Sequence, residues 1–130
     1  MNAKKAICFG EILWDLFPSG KKIGGAPLNV AFRMTQLGIP TTMISAIGSD
    51  ALGEDLQQAV AEKGVATMLQ KKKSFPTGTV DVSLNTMGSA QYTIPMPVAW
   101  DHISYNTAIE KKVQEADCFV FGSLVARSPE

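Results

Sequence analysis

The chain has 130 residues, 45% of them hydrophobic and 18% charged, which fits one globular domain. Twelve basic residues balance twelve acidic ones, so no broad positive field exists to hold nucleic acid or an anionic membrane. No run reaches the ~20 apolar residues of a membrane helix, and the first apolar stretch holds Glu11 and Asp15 and lacks a signal-peptide cleavage pattern; the expected compartment is the cytoplasm.

Residues 6–14 form an apolar run, interrupted by Gly10 and Glu11, that reads as one buried strand. Residues 21–26 read as a glycine-containing connection. A helix follows, with Pro27 in its first turn, where a missing N–H leaves nothing unsatisfied. Val30, Met34 and Leu37 recur at helical spacing and are assigned to its core face. Gly38 ends the helix and Pro40 bars its continuation. Residues 41–47 read as a second strand. Asp50 is placed to cap a helix carrying Leu52, Leu56, Ala59 and Val60 on one face, with Glu54 and Asp55 near its positive end. Gly64 stops that helix, and residues 65–69 form a short third strand.

The pattern then changes. Over Thr79–Leu84 apolar Val80, Val82 and Leu84 alternate with Thr79, Asp81 and Ser83. A turn near residues 85–89 leads to a second extended piece at 91–95 with Tyr92 and Ile94 on one side, which makes a β-hairpin with one polar face. Residues 107–115 read as a helix opened by a Thr107–Glu110 capping box, with Ile109, Val113 and Ala116 facing a core. Residues 116–122 form the last strand. Strand–helix alternation argues for an α/β domain with a mostly parallel sheet. Three or four strands make a thin parallel sheet, and such sheets are covered on both faces, so the chain reads as an incomplete domain.

Cys8 and Cys118 each sit in an apolar run without a CxxC partner or nearby histidine, and read as buried thiols rather than metal ligands. His102 is the single histidine and reads as an incidental surface residue. Neither GxxxxGK[ST] nor GxGxxG occurs, so neither a Walker loop nor a dinucleotide loop is supported. What remains is Gly24-Gly25-Ala26-Pro27-Leu28-Asn29 at a strand-to-helix connection, where doubly wound sheets bind ligands. Paired glycines allow close backbone approach, and the Asn29 amide both donates and accepts. Asp15, expected at a strand end, offers a charged acceptor for neighbouring hydroxyls.

Gly24, Gly25, Pro27, Asn29, Ala31, Gly38 and Gly48 stand at the spacing of the N-terminal signature of the PfkB/ribokinase family of carbohydrate kinases, and the chain resembles that family. Residues 9–18, Phe-Gly-Glu-Ile-Leu-Trp-Asp-Leu-Phe-Pro, resemble the opening strand of its fructokinases. Pro97-Val98-Ala99-Trp100-Asp101 and Phe121-Gly122-Ser123-Leu124 also look fructokinase-like, so the resemblance covers nearly the whole chain.

The resemblance implies a ribokinase-like α/β core, here its N-terminal part over residues 1–130, with a small β-sheet lid drawn from residues 16–23 and 79–95. It implies transfer of the γ-phosphoryl group from ATP, with Mg2+, to a hydroxyl of a free hexose, fructose first. Asp15, Gly25 and Asn29 would hold sugar hydroxyls, Gly24 would shape the turn, Tyr92 and Ile94 would cover the sugar, and Arg127 would reach its mouth. Lid strands would form a homodimer contact. The family's C-terminal Gly-Ala-Gly-Asp segment, with its catalytic aspartate, is absent, so no catalytic residue is expected in this chain and the chain alone is expected to be inactive. Two alternatives stay open: a non-catalytic sugar-binding module, and a family kinase for ribose, 2-keto-3-deoxygluconate or a nucleoside.

Overall fold

The structure is a computed structural model and describes residues 3–129. In chain order the elements are β1 (Ala6–Phe9), β2 (Leu13–Phe17), β3 (Gly20–Gly24), α1 (Ala26–Gln36), β4 (Thr41–Gly48), α2 (Ala51–Glu62), β5 (Ala66–Lys72), β6 (Thr79–Leu84), β7 (Ala90–Thr93), α3 (Thr107–Gln114) and β8 (Cys118–Phe121), with short 3-10 turns at Ala99–His102 and Leu124–Ala126. They build two sheets. The first has the order β5-β4-β1-β8, with every pair parallel. The second has the order β3-β2-β6-β7, antiparallel except for the β2–β6 pair.

Alternation along β1 and β4 sends side chains to both faces of the parallel sheet. Cys8, Met43 and Ile47 join Leu28, Ala31, Leu56 and Val60 in one buried cluster, under α1 and α2. Ile7 and Ile44 meet Ile109 of α3 on the other face. All eight residues of β4 are buried, as a central parallel strand requires.

The apolar run at 6–14 is not one strand. Its first half pairs with β4 and β8, its second half with β3 and β6. Gly10 makes the change of sheet possible: its φ is +139°, and a Cβ there would press on Pro27 and Val125. Residues 21–26 likewise hold a strand, β3, instead of a simple connection, because Gly20–Gly24 runs antiparallel to Leu13–Phe17.

α1 also turns differently from its apolar spacing. Pro27, Leu28 and Ala31 are buried, whereas Val30 is 38% and Leu37 77% exposed. Val30 stands two residues, about 200° of helical rotation, from Leu28, so both cannot face the sheet. Gly38, with φ +79°, closes the helix, its N–H donating to Thr35 while that of Ile39 reaches Met34.

Asp50 caps α2 as expected, its Oδ1 accepting the Gly53 N–H at 2.8 Å. The cap of α3 is Asn106, not Thr107: Asn106 Oδ1 accepts from Ile109 N at 2.8 Å, and Glu110 instead accepts the Tyr105 hydroxyl. An asparagine acceptor one residue earlier displaces the threonine from the capping position. Cys8 is buried but Cys118 is exposed on β8, because β8 is an edge strand whose Phe119 and Phe121 are exposed as well. Burial, and secondarily the neighbouring Cys118, pushes the Cys8 thiol up to about 11. No helix among the described residues is long and apolar enough to cross a membrane.

Candidate functional site

The second sheet positions the site. Ile12 and Trp14 belong to the main core cluster and Leu16 and Ile23 pack against it; the Trp14 indole N–H also donates to the Leu52 carbonyl at 2.9 Å. That side of β2 and β3 is therefore committed to the core. By alternation, Leu13 and Asp15 point the other way. The register pairs Leu13 with Gly24, Asp15 with Lys22 and Val80, and Val82 with Tyr92. Asp15, Gly24, Val80, Val82 and Tyr92 thus share one face of the sheet.

Asp15 lies in the middle of β2 rather than at a strand end. Its side chain leans diagonally across the hairpin onto Gly24, where a Cβ would stand 2.4 Å from Oδ2 and 2.8 Å from the Leu13 side chain. Only glycine leaves room for that approach. The next residue, Gly25, has φ +117°, and a Cβ there would meet the Glu11 carbonyl oxygen at 2.4 Å. The two glycines therefore do different things: Gly24 makes space for a side chain, and Gly25 bends the chain into α1 against the backbone of Glu11. The Asp15 carboxylate has no hydrogen-bond or ion-pair partner among the described residues, and partial burial raises its pKa.

Asn29 sits in the first turn of α1 and is exposed. Its backbone N–H donates to Gly25 O at 3.0 Å, while its side-chain amide is unbonded among the described residues. It borders a cleft of about 400 Å³ together with Ile23, Leu28, Phe32, Arg33 and Lys63. Tyr92 is 66% and Ile94 40% exposed. The structure brings Asp15 and Gly24 into contact, joins Gly25 to Asn29 through the helix start, and puts Tyr92 on the Asp15 face. No hydrogen bond links Asn29 to Asp15.

Arg127 makes no hydrogen bond to this group among the described residues. Its Nε and Nη2 donate to the two Asp101 oxygens at 2.8 Å each, and Nη2 also donates to Pro95 O at 2.7 Å. The guanidinium lies 4.1 Å over the Trp100 ring. Asp101 accepts the Val98 N–H as well. Burial raises its pKa, but the Arg127 and Val98 bonds outweigh that and hold the carboxyl below the ordinary value. Sequence reasoning missed this pair; the signal available was a charged residue beside tryptophan in a short apolar stretch. It also missed the tie between Asp50 and Thr77, which bonds Asp50 through both its hydroxyl, at 2.6 Å, and its N–H, at 3.0 Å. His102 stacks on Phe75, ring centroids 3.8 Å apart.

A third omission is Glu11, which is 3% exposed. Its Oε2 is the one buried side-chain polar atom without a hydrogen-bond partner among the described residues. No group of three or more metal-ligating side chains occurs among those residues.

The family model for the pfkB family carbohydrate kinase matches residues 6–130. The chain belongs to that family. Among curated relatives, this pfkB-family chain is 34% identical over 111 residues to a sugar kinase of Pyrococcus horikoshii, covering 84% of this chain and 36% of that one. The crystal structure of that uncharacterized sugar kinase superposes with a TM-score of 0.80 at 32% identity over 96% of this chain and 47% of that chain; it has also been solved in complex with ATP. A fructokinase from Xylella fastidiosa superposes with a TM-score of 0.84 at 25% identity, covering 99% of this chain and 44% of that chain. A D-beta-D-heptose 7-phosphate kinase of Bordetella bronchiseptica is 30% identical over 106 residues, 76% of this chain and 32% of its own length. The pfkB-family chain thus spans about a third of the length of the curated relatives it matches.

Proposed function

We propose that the full-length protein is an ATP-dependent sugar kinase, with fructose its first-choice acceptor, and that this chain supplies the sugar side of the site. The carrying observation is the unpaired Asp15 carboxylate lying on Gly24. A partly dehydrated carboxylate with free lone pairs accepts two hydroxyls of a polyol well, and a charged acceptor makes the stronger bond. Gly25 brings backbone to the same place, and Asn29 adds an amide that both gives and takes protons. Tyr92 and Ile94 cover the sugar from the second sheet, and Arg127 borders its mouth through the one guanidinium nitrogen, Nη1, that makes no bond to Asp101 or Pro95.

In this reading the second sheet is a lid. Water competes with the sugar hydroxyl for the γ-phosphoryl group, and an apolar face closing over the acceptor excludes it. Mg2+ travels with the phosphates of ATP and shields their charge. The general base and the anion hole lie outside this chain, so the chain by itself binds an acceptor and turns nothing over. Sheet edges β3 and β7 bear the contact of a homodimer; exposed Leu84 and Met87 on the outer hairpin support that role.

The test is a coupled ADP-release assay of the full-length protein with fructose, ribose, 2-keto-3-deoxygluconate, a heptose 7-phosphate and adenosine. Turnover with fructose above all others is expected. Turnover with another acceptor alone keeps the kinase and removes the fructose assignment. A protein that binds fructose and releases no ADP with any acceptor is a binding module instead.

A further inference from the structure

We propose that Asp101 and Arg127 are positioning residues: their ion pair holds the outgoing stem of the β6–β7 hairpin at a fixed angle and so sets how fully that hairpin closes over the acceptor. The inference rests on the sugar-kinase and lid readings and deepens them. Both stems of the hairpin are fastened to the core. On the incoming side Thr77 is 2% exposed, and its hydroxyl accepts the Gly48 N–H at 2.9 Å and donates to Asp50 at 2.6 Å. The next residue, Gly78, packs so closely on Trp100 that a Cβ there would stand 2.5 Å from the indole. Its carbonyl accepts the Trp14 N–H at 3.1 Å. On the outgoing side the Ala99 N–H returns to Pro76 O at 2.8 Å, and Arg127 holds Pro95 O at 2.7 Å. Movement of the hairpin is therefore confined to residues 79–94, between Gly78 and Pro95.

The two anchors differ in kind. Thr77 is tied to the end of β4 and the cap of α2. Pro95 is tied to a residue beyond β8, and Val125 of that same segment lies against Gly10, where the chain leaves the parallel sheet. Arg127 thus links the lid to the carboxyl end of the parallel sheet, the end at which open α/β sheets bind ligands. The chemistry at the link suits a part that fixes an angle. The guanidinium bonds to both Asp101 oxygens and stacks on Trp100, so its plane is set by the fork and by the ring. For stability alone an apolar pair would serve as well, since a buried ion pair gains little beyond its cost of dehydration. What the ion pair adds is orientation.

Full-length wild type, Asp101→Asn and the double variant Asp101→Leu with Arg127→Met are compared at a saturating level of the best acceptor from the panel above. Two quantities are read: ADP released per sugar phosphate formed, and amide hydrogen exchange over residues 79–94 with and without the acceptor. Wild type should release one ADP per sugar phosphate, and the acceptor should slow exchange in the hairpin. Asp101→Asn should release at least about two, because a loosely held hairpin admits water to the phosphoryl group, and should lose most of the slowing. The double variant leaves no buried charge unpaired and is expected to fold. It should be as uncoupled as Asp101→Asn, which a purely stabilising ion pair would not produce. A ratio near one with wild-type slowing of exchange, in either folded variant, overturns the proposal. A wild type that phosphorylates no acceptor removes the kinase reading, and one whose hairpin does not respond to the acceptor removes the lid reading. Either result takes this inference with it, and the wild-type control separates both from failure of the proposal alone.

Discussion

The Asp15 carboxylate rests on the α-carbon of Gly24, so closely that a Cβ at position 24 would stand 2.4 Å from Oδ2. A glycine signature that looks like a backbone turn is, at its first residue, a side-chain seat. Gly24→Ala should therefore displace Asp15 before it disturbs the turn. The expected result is a loss of about 1–3 kcal/mol of stability from overpacking, read by urea unfolding, with a sugar KM raised at least about tenfold in the full-length enzyme. Gly25→Ala meets main chain at φ +117° and should be the more destabilising of the two, since backbone cannot swing aside.

Asp15 carries a stability cost of its own. Burial raises its pKa, so its ionised form is less favourable in the folded chain than in the unfolded one. The associated stability is fully present below its ordinary value of 3.8 and is lost as pH rises through the folded value. At neutral pH Asp15→Asn should then unfold at a higher temperature than wild type, and the advantage should shrink as the pH approaches 4. Thermal unfolding of both proteins between pH 4 and 8 checks the sign.

The opposite sign is expected at Asp50. Burial pushes this carboxyl up, but the Thr77 hydroxyl, the Thr77 N–H and the Gly53 N–H outweigh it and hold the pKa below 3.8. Its contribution is present above 3.8 and disappears as pH falls through the lowered value. Asp50→Ala should cost about 1–2 kcal/mol at neutral pH through the lost helix cap, and the difference from wild type should close in acid. Denaturant unfolding at pH 7 and pH 3 measures it.

How much of this could be read from residues alone varied with the physics involved. The cap at Asp50 and the stop glycines at 38 and 64 were legible because local backbone chemistry decides them. The hairpin over β6 and β7 was legible from its period of two. The division of residues 6–14 between two sheets was not, since both halves are apolar and only the space around Gly10 separates them. On α1 Met34 packs against the core as its spacing suggests, but Val30 and Leu37 do not: they are as apolar as Leu28, and the entry of the helix through Gly25 and Pro27 decides which side meets the sheet. Gly24, Gly25 and Asn29 were singled out by the spacing of the signature and Asp15 by the resemblance, but the contact between Asp15 and Gly24 exists only across the β2–β3 register. Glu11 and the Asp101–Arg127 pair need three-dimensional burial to stand out.

Arg127 is an anchor in this fold, whatever else it touches. It joins Pro95, just after β7, to Asp101, whose side chain is 1% exposed. Arg127→Ala leaves a buried carboxylate without its cation and should lower stability by about 3–5 kcal/mol. Arg127→Met combined with Asp101→Leu, which removes both charges, should recover much of that loss. Denaturant unfolding of the single and double variants measures the coupling.

The central claim, that the Asp15–Gly24 face is the acceptor side of a kinase, is tested most directly by Asp15→Asn in the full-length protein. Steady-state kinetics with both substrates varied should show a sugar KM raised at least about tenfold, while the KM for ATP stays within about twofold. A sugar KM that does not move, or an ATP KM that rises in step with it, would contradict the account.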